Sequence, residues 1–115
     1  MVRLRRRGWP SSREVRETKN QYPNLLQVLG CYLYQYWDEE YASSEDALRA
    51  AKTYQGHDQI ERAVAEIDKL LSRNLDDESL SEILTILAGG GGPDTSETSA
   101  WLVQARRILT GEDVE

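Results

Sequence analysis

Between Pro23 and Trp37 the apolar residues Leu25, Leu26, Val28, Leu29, Tyr32, Leu33, Tyr36 and Trp37 cover most of a helical circumference. A helix that is apolar on most sides belongs in the middle of a bundle, and Pro23 suits its first position. Ser43, three residues before Asp46, makes a short capping signal for a second helix carrying Ala47, Leu48, Ala51 and Tyr54 as far as Gly56. Asp58 and Glu61 repeat that spacing ahead of Ile60, Ala63, Val64, Ile67, Leu70 and Leu71, the strongest helical period in the chain. Asp76 and Asp77 open a helix with the stripe Leu80, Ile83, Leu84 and Leu87, which Gly89 to Gly92 and Pro93 stop. A last helix starts between Asp94 and Thr98 and carries Trp101, Leu102, Ala105, Ile108 and Leu109 up to Gly111. No segment alternates with period two, and no longer unit repeats. The pattern predicts an all-α fold, a compact bundle of about five helices.

Charge divides the chain unequally. Residues 1–19 hold Arg3, Arg5, Arg6, Arg7, Arg13, Arg16 and Lys19 against Glu14 and Glu17, while residues 20–115 hold seven basic and eighteen acidic groups. The first stretch lacks apolar periodicity and is broken by Gly8 and Pro10, so it reads as a basic N-terminal arm whose composition permits disorder. The helical domain is expected over 20–115. With 115 residues and 39% hydrophobic content there is room for one core.

An acidic body repels nucleic acid and anionic membrane and attracts a basic protein surface. The arm with Trp9 is the one segment suited to phosphate or acidic lipid; the plainer reading is a tail folding back on its own acidic domain. Cys31 is the only cysteine, which excludes an intramolecular disulfide and fits a reducing cytoplasm. No apolar run reaches the length of a membrane span, so no stable membrane insertion is expected.

Catalytic constellations are poorly supplied. A nucleophilic triad would have to centre on His57 or Cys31, each the only residue of its kind; Cys31 reads as an inert core residue and His57 as a solvated neighbour of a helix start. The carboxylates Asp76, Asp77 and Glu78 lack the turn glycine of a calcium loop. Gly89 to Gly92 has no following Lys-Ser or Lys-Thr and reads as a flexible connector, not a phosphate loop. Pairs such as Asp38 with Glu40 carry no specificity where acids are this common. The chain is expected not to be an enzyme, with no cofactor, metal or small-molecule substrate.

The cluster Tyr32, Tyr34, Tyr36, Trp37 and Tyr41 is denser than core filling requires, and Phe is absent altogether. Most of these rings are expected in the core, with Tyr34, on the less apolar side of its helix, the best candidate for exposure. The run Tyr22-Pro23-Asn24-Leu25-Leu26-Gln27-Val28-Leu29-Gly30, followed by Tyr32, Gln35, Tyr36, Trp37-Asp38, Glu40-Tyr41 and Ser43 and then an Ala-rich helix, resembles the contact-dependent growth inhibition immunity proteins. The basic arm and the Gly89 to Gly92 loop depart from that family's pattern. The resemblance implies a cytoplasmic antidote that binds and neutralises the toxic C-terminal domain of a surface-delivered effector, often a nuclease.

Positions shared by proteins that meet different toxins are expected to hold the fold, which assigns Trp37, Asp38, Glu40 and Tyr41 to structure, so the interface is sought elsewhere. The expected toxin-binding residues are Glu45, Asp46, Asp76, Asp77, Glu78 and Glu82, with Tyr34 as an aromatic anchor and a basic toxin domain as partner. The competing reading is a regulatory or adaptor module that uses its basic arm on nucleic acid or membrane. Removing residues 1–19 separates the two, because only the adaptor would lose its activity.

Overall fold

A computed structural model of the chain describes residues 11–93 and 96–112. Among them are six α-helices and no strand: α1 (Ser12–Gln21), α2 (Pro23–Tyr32), α3 (Ser44–Tyr54), α4 (His57–Ser72), α5 (Asp77–Leu87) and α6 (Thr98–Thr110), with a 3-10 turn at Trp37–Glu39. The all-α expectation holds, with one helix more than the sequence pattern gave.

The additional helix corrects the expected arm. Ser11 caps α1 reciprocally: its hydroxyl accepts the Glu14 N–H at 3.2 Å and its own N–H donates to the Glu14 carboxylate at 3.3 Å. Arg13 and Glu17 pair one turn apart at 3.3 Å. None of α1 is buried, although it lies along α5. Its helicity rests on caps and surface pairs instead of an apolar stripe, which is why the hydrophobic pattern missed it. Arg3, Arg5, Arg6, Arg7 and Trp9 lie outside the described residues.

Helices α3, α4 and α5 each pack on both α2 and α6, so those two helices form the middle of the bundle. The core joins Leu25, Val28 and Leu29 of α2 to Ala47, Leu48 and Ala51 of α3, Ile60, Ala63, Ile67 and Leu70 of α4, Leu80, Leu84 and Leu87 of α5, and Leu102, Ala105, Ile108 and Leu109 of α6. Each large aliphatic side chain taken out of water this way contributes about 1.5–3 kcal/mol. Cys31 falls on the exposed side of α2, beside Gln27, and is not the core residue the sequence suggested.

Two helix starts carry side-chain caps: Ser43, as expected, accepts from the Asp46 N–H at 3.1 Å, and Asp76, expected only as a charge at the helix start, accepts from the Ser79 N–H at 2.9 Å. The Asp58 cap does not form, because α4 begins at His57 behind Gly56 and Asp58 already lies inside the helix. Helix α2 has no side-chain cap of its own. Glu66, on α4, supplies one from across the bundle, accepting the Asn24 and Leu25 N–H groups at 3.2 and 2.7 Å and the Asn24 side-chain amide at 2.8 Å. A carboxylate there meets both the orphan donors and the positive end of the helix dipole.

Helix α2 stops at Tyr32 although its apolar pattern runs on to Trp37. The Gly89 to Gly92 segment, expected to be a loose connector, ends it. The Gly92 N–H donates to the Leu33 carbonyl at 2.8 Å, and Gly91 lies so close that a Cβ there would overlap the Leu33 carbonyl oxygen and the Tyr34 backbone.

Candidate functional site

The starts of three helices meet at one end of the bundle, around the first turn of α6. The Ser99 N–H of that turn donates to Asp77 at the start of α5, at 2.9 Å. Two residues on, the buried Trp101 indole donates to the Ser44 hydroxyl at the start of α3, also at 2.9 Å. Carboxylates accumulate at helix starts because the dipole favours them, and here Glu45 and Asp46 of α3, Asp76, Asp77 and Glu78 of α5, and Glu97 before α6 all lie at that end.

A cleft of about 400 Å³ opens between the 3-10 turn, the start of α3 and the first turns of α6. Trp37, Ser43, Ser44, Glu45, Glu97 and Trp101 are on its walls. The Trp37 ring is fixed by its indole N–H, which donates to the Gly92 carbonyl at 2.7 Å. Beside the cleft, Asp38, Glu39 and Glu40 of the 3-10 segment are exposed, and Tyr36 is 53% exposed.

Basic groups are scarce here. No Lys or Arg occurs between Lys19 and Arg49, a stretch that contains Asp38, Glu39, Glu40, Glu45 and Asp46. Asp46 pairs with Arg49 at 3.2 Å, both half-exposed, a contact of small energetic consequence. Asp38, Glu39 and Glu45 form no ion pair with any described residue. The result is a concave aromatic surface fringed by carboxylates.

Of the residues expected to bind a toxin, Glu45 and Asp46 sit at this end with Asp76, Asp77 and Glu78. Asp76 and Asp77 are occupied there in capping α5 and α6. Glu82 lies further along α5 and faces a separate groove that it lines with Glu14 and Glu17 of α1. Tyr34 is half-buried, and its phenol donates to Glu40; that hydrogen bond, then desolvation and the Glu40 charge, hold its pKa above the ordinary tyrosine value. Tyr41 is raised too, first by burial and then by the Glu40 charge. Sequence reasoning did not find Ser44, Glu97 or Trp101 as parts of one site, because each meets its neighbours only through tertiary packing. Among the described residues no three His, Cys, Asp or Glu side chains converge as a metal site, and no helix is long and apolar enough to cross a membrane.

The profile of the CdiI immunity protein family matches residues 21–109, from the last residue of α1 to within one residue of the end of α6. No curated protein and no solved structure matches the chain. The match takes in the aromatic run, the carboxylate-fringed cleft and all five helices of the core. On that extent, the chain belongs to the CdiI immunity protein family.

Proposed function

We propose that this protein is an antidote: it binds the toxic C-terminal domain of a contact-dependent growth inhibition effector and neutralises it by occlusion, without catalysis, in the cytoplasm. The observation that carries the reading is the cleft end of the bundle, where Asp38, Glu39 and Glu45 stand without cationic partners beside exposed Tyr36. Unpaired carboxylates next to aromatic surface suit a basic protein, since charge speeds encounter and buried rings supply anchoring area.

The toxin we propose is a nuclease. An enzyme that grips nucleic acid is basic where it meets phosphate, and fixed carboxylates compete for that surface. The working domain is residues 20–115. Within it we place the interface on Asp38, Glu39, Glu45 and Asp46, with Glu78 at its margin.

Titrating a purified toxin domain, from the effector gene expected immediately upstream, with the protein in low and high salt tests the reading. The expected result is a one-to-one complex whose association rate falls as salt rises. A toxin that does not bind, or binds with a salt-independent rate, contradicts it.

A further inference from the structure

We propose that the Trp37–Trp101 cleft is a receptor for one arginine side chain of the partner, whose guanidinium lies against the Trp37 indole and pairs with Glu45. The antidote reading supplies the identity of the partner; the chemistry of the cleft stands apart from it.

The argument begins with the hydrogen-bond donors. Both indole N–H groups point into the fold, that of Trp37 to Gly92 at 2.7 Å and that of Trp101 to Ser44 at 2.9 Å. The Ser44 hydroxyl in turn donates to Glu45 at 3.4 Å. The cleft is therefore left with indole carbon surface and the Glu45 carboxylate, while the side-chain donors remaining on its walls, the Ser43 hydroxyl and the Gln104 amide, are neutral. Such a site is rich in acceptors and π surface and poor in donors, and a cation with several N–H groups complements it.

Arginine fits better than a compact ammonium. Its planar guanidinium stacks on an aromatic ring while its edge pairs with a carboxylate, two contacts that this cleft offers from different walls. The size agrees, since about 400 Å³ lies near the lower limit of small-ligand pockets and suits one long side chain. The starts of α3 and α6 would by themselves draw an anion. Glu45 and Glu97, however, stand at those starts and reverse the preference. The walls are also preformed: Trp101 is 8% exposed, and Trp37 is tied to the glycine segment, so little ordering opposes binding.

The test needs no toxin. In a Trp9→Phe background, which leaves the two cleft indoles as the tryptophan signals, the peptides acetyl-Gly-Arg-Gly-amide and acetyl-Gly-citrulline-Gly-amide are titrated to millimolar concentration while the indole N–H resonances are followed. The expected result is saturable movement of both resonances with the arginine peptide and none with citrulline, its neutral isostere. Glu45→Gln, which keeps an oxygen for Ser44, should weaken the arginine response about tenfold with an unchanged melting curve. Equal responses to the two peptides, no response to either, or an unaltered Glu45→Gln titration would overturn the proposal. Arginine binding beside a toxin that is never bound would leave the cleft standing and remove the antidote reading.

Discussion

The indole N–H of Trp37 donates to the Gly92 carbonyl at 2.7 Å, and the N–H of the same glycine donates to the Leu33 carbonyl at 2.8 Å. This two-bond clasp joins the end of α2 to the segment after α5, and it sets both where the long apolar run stops being helical and where one wall of the cleft stands. Gly92 adopts a φ of 104°, a conformation that a side chain disfavours.

The clasp predicts opposite effects for two glycines. Gly91→Ala would drive a methyl group into the Leu33 carbonyl and the Tyr34 backbone. It should cost about 2–4 kcal/mol in urea unfolding and perturb the Trp37 indole signal. Gly30→Ala, at an exposed position in the last turn of α2 where a Cβ meets the Leu87 carbonyl at 3.5 Å and Leu26 Cδ1 at 4.0 Å, both ordinary contacts, should instead stabilise by about 0.5–1 kcal/mol.

Glu66 predicts that a helix can be weakened from outside itself. Glu66→Ala removes the acceptor of three N–H groups at the start of α2. A loss of about 1–2 kcal/mol is expected by chemical denaturation, with amide exchange rising first at Asn24 and Leu25. A loss spread evenly over the molecule would contradict the capping role.

Two hydroxyls near the first turn of α6, Thr98 within it and Ser44 across from it at the start of α3, should behave differently. Thr98 is buried and its hydroxyl has no hydrogen-bond partner among the described residues. Thr98→Val should therefore leave stability unchanged or raise it by up to about 1 kcal/mol. Ser44→Ala strips the Trp101 indole of its acceptor and should cost about 1–2 kcal/mol in the same unfolding measurement.

Tyr34 gives a pH prediction. Its pKa is raised by donating to Glu40, so the protonated phenol is the form that the fold favours. The associated stabilisation is complete below the ordinary tyrosine pKa of about 10 and disappears as pH climbs through the raised folded value. Tyrosinate absorbance should show the Tyr34 and Tyr41 phenols titrating late, and Glu40→Gln should move the Tyr34 titration back toward the ordinary value.

Helices α3 to α6 were legible in the sequence because each has a 3.6-residue apolar stripe, and the Ser43 cap was legible because its partner lies three residues away. Helix α1 was not, since none of its residues is buried and only Val15 among its positions is apolar. The end of α2 was hidden for a different reason: the period continues through Trp37, and what interrupts it is glycine chemistry 55 residues further on. The candidate site divides in the same way. Glu45 and Asp46 stood out as charges, but nothing local to Asp77 announces that it caps α6, and nothing local to Trp101 announces Ser44.

Sorting the acids accordingly gives a further prediction. Reversing Asp38, Glu39 and Glu45 together should slow toxin association about tenfold or more at low salt while leaving the melting curve in place. Asp77→Lys should act on the fold instead, lowering thermal stability by unseating the start of α6.

The most direct measurement of the central claim is protection in living cells. A toxin domain from the effector gene expected immediately upstream is expressed with this protein, with an unrelated immunity protein, or alone, and viability is followed. The account predicts survival with this protein only. Equal killing in all three, with this protein soluble and the toxin active, would contradict it.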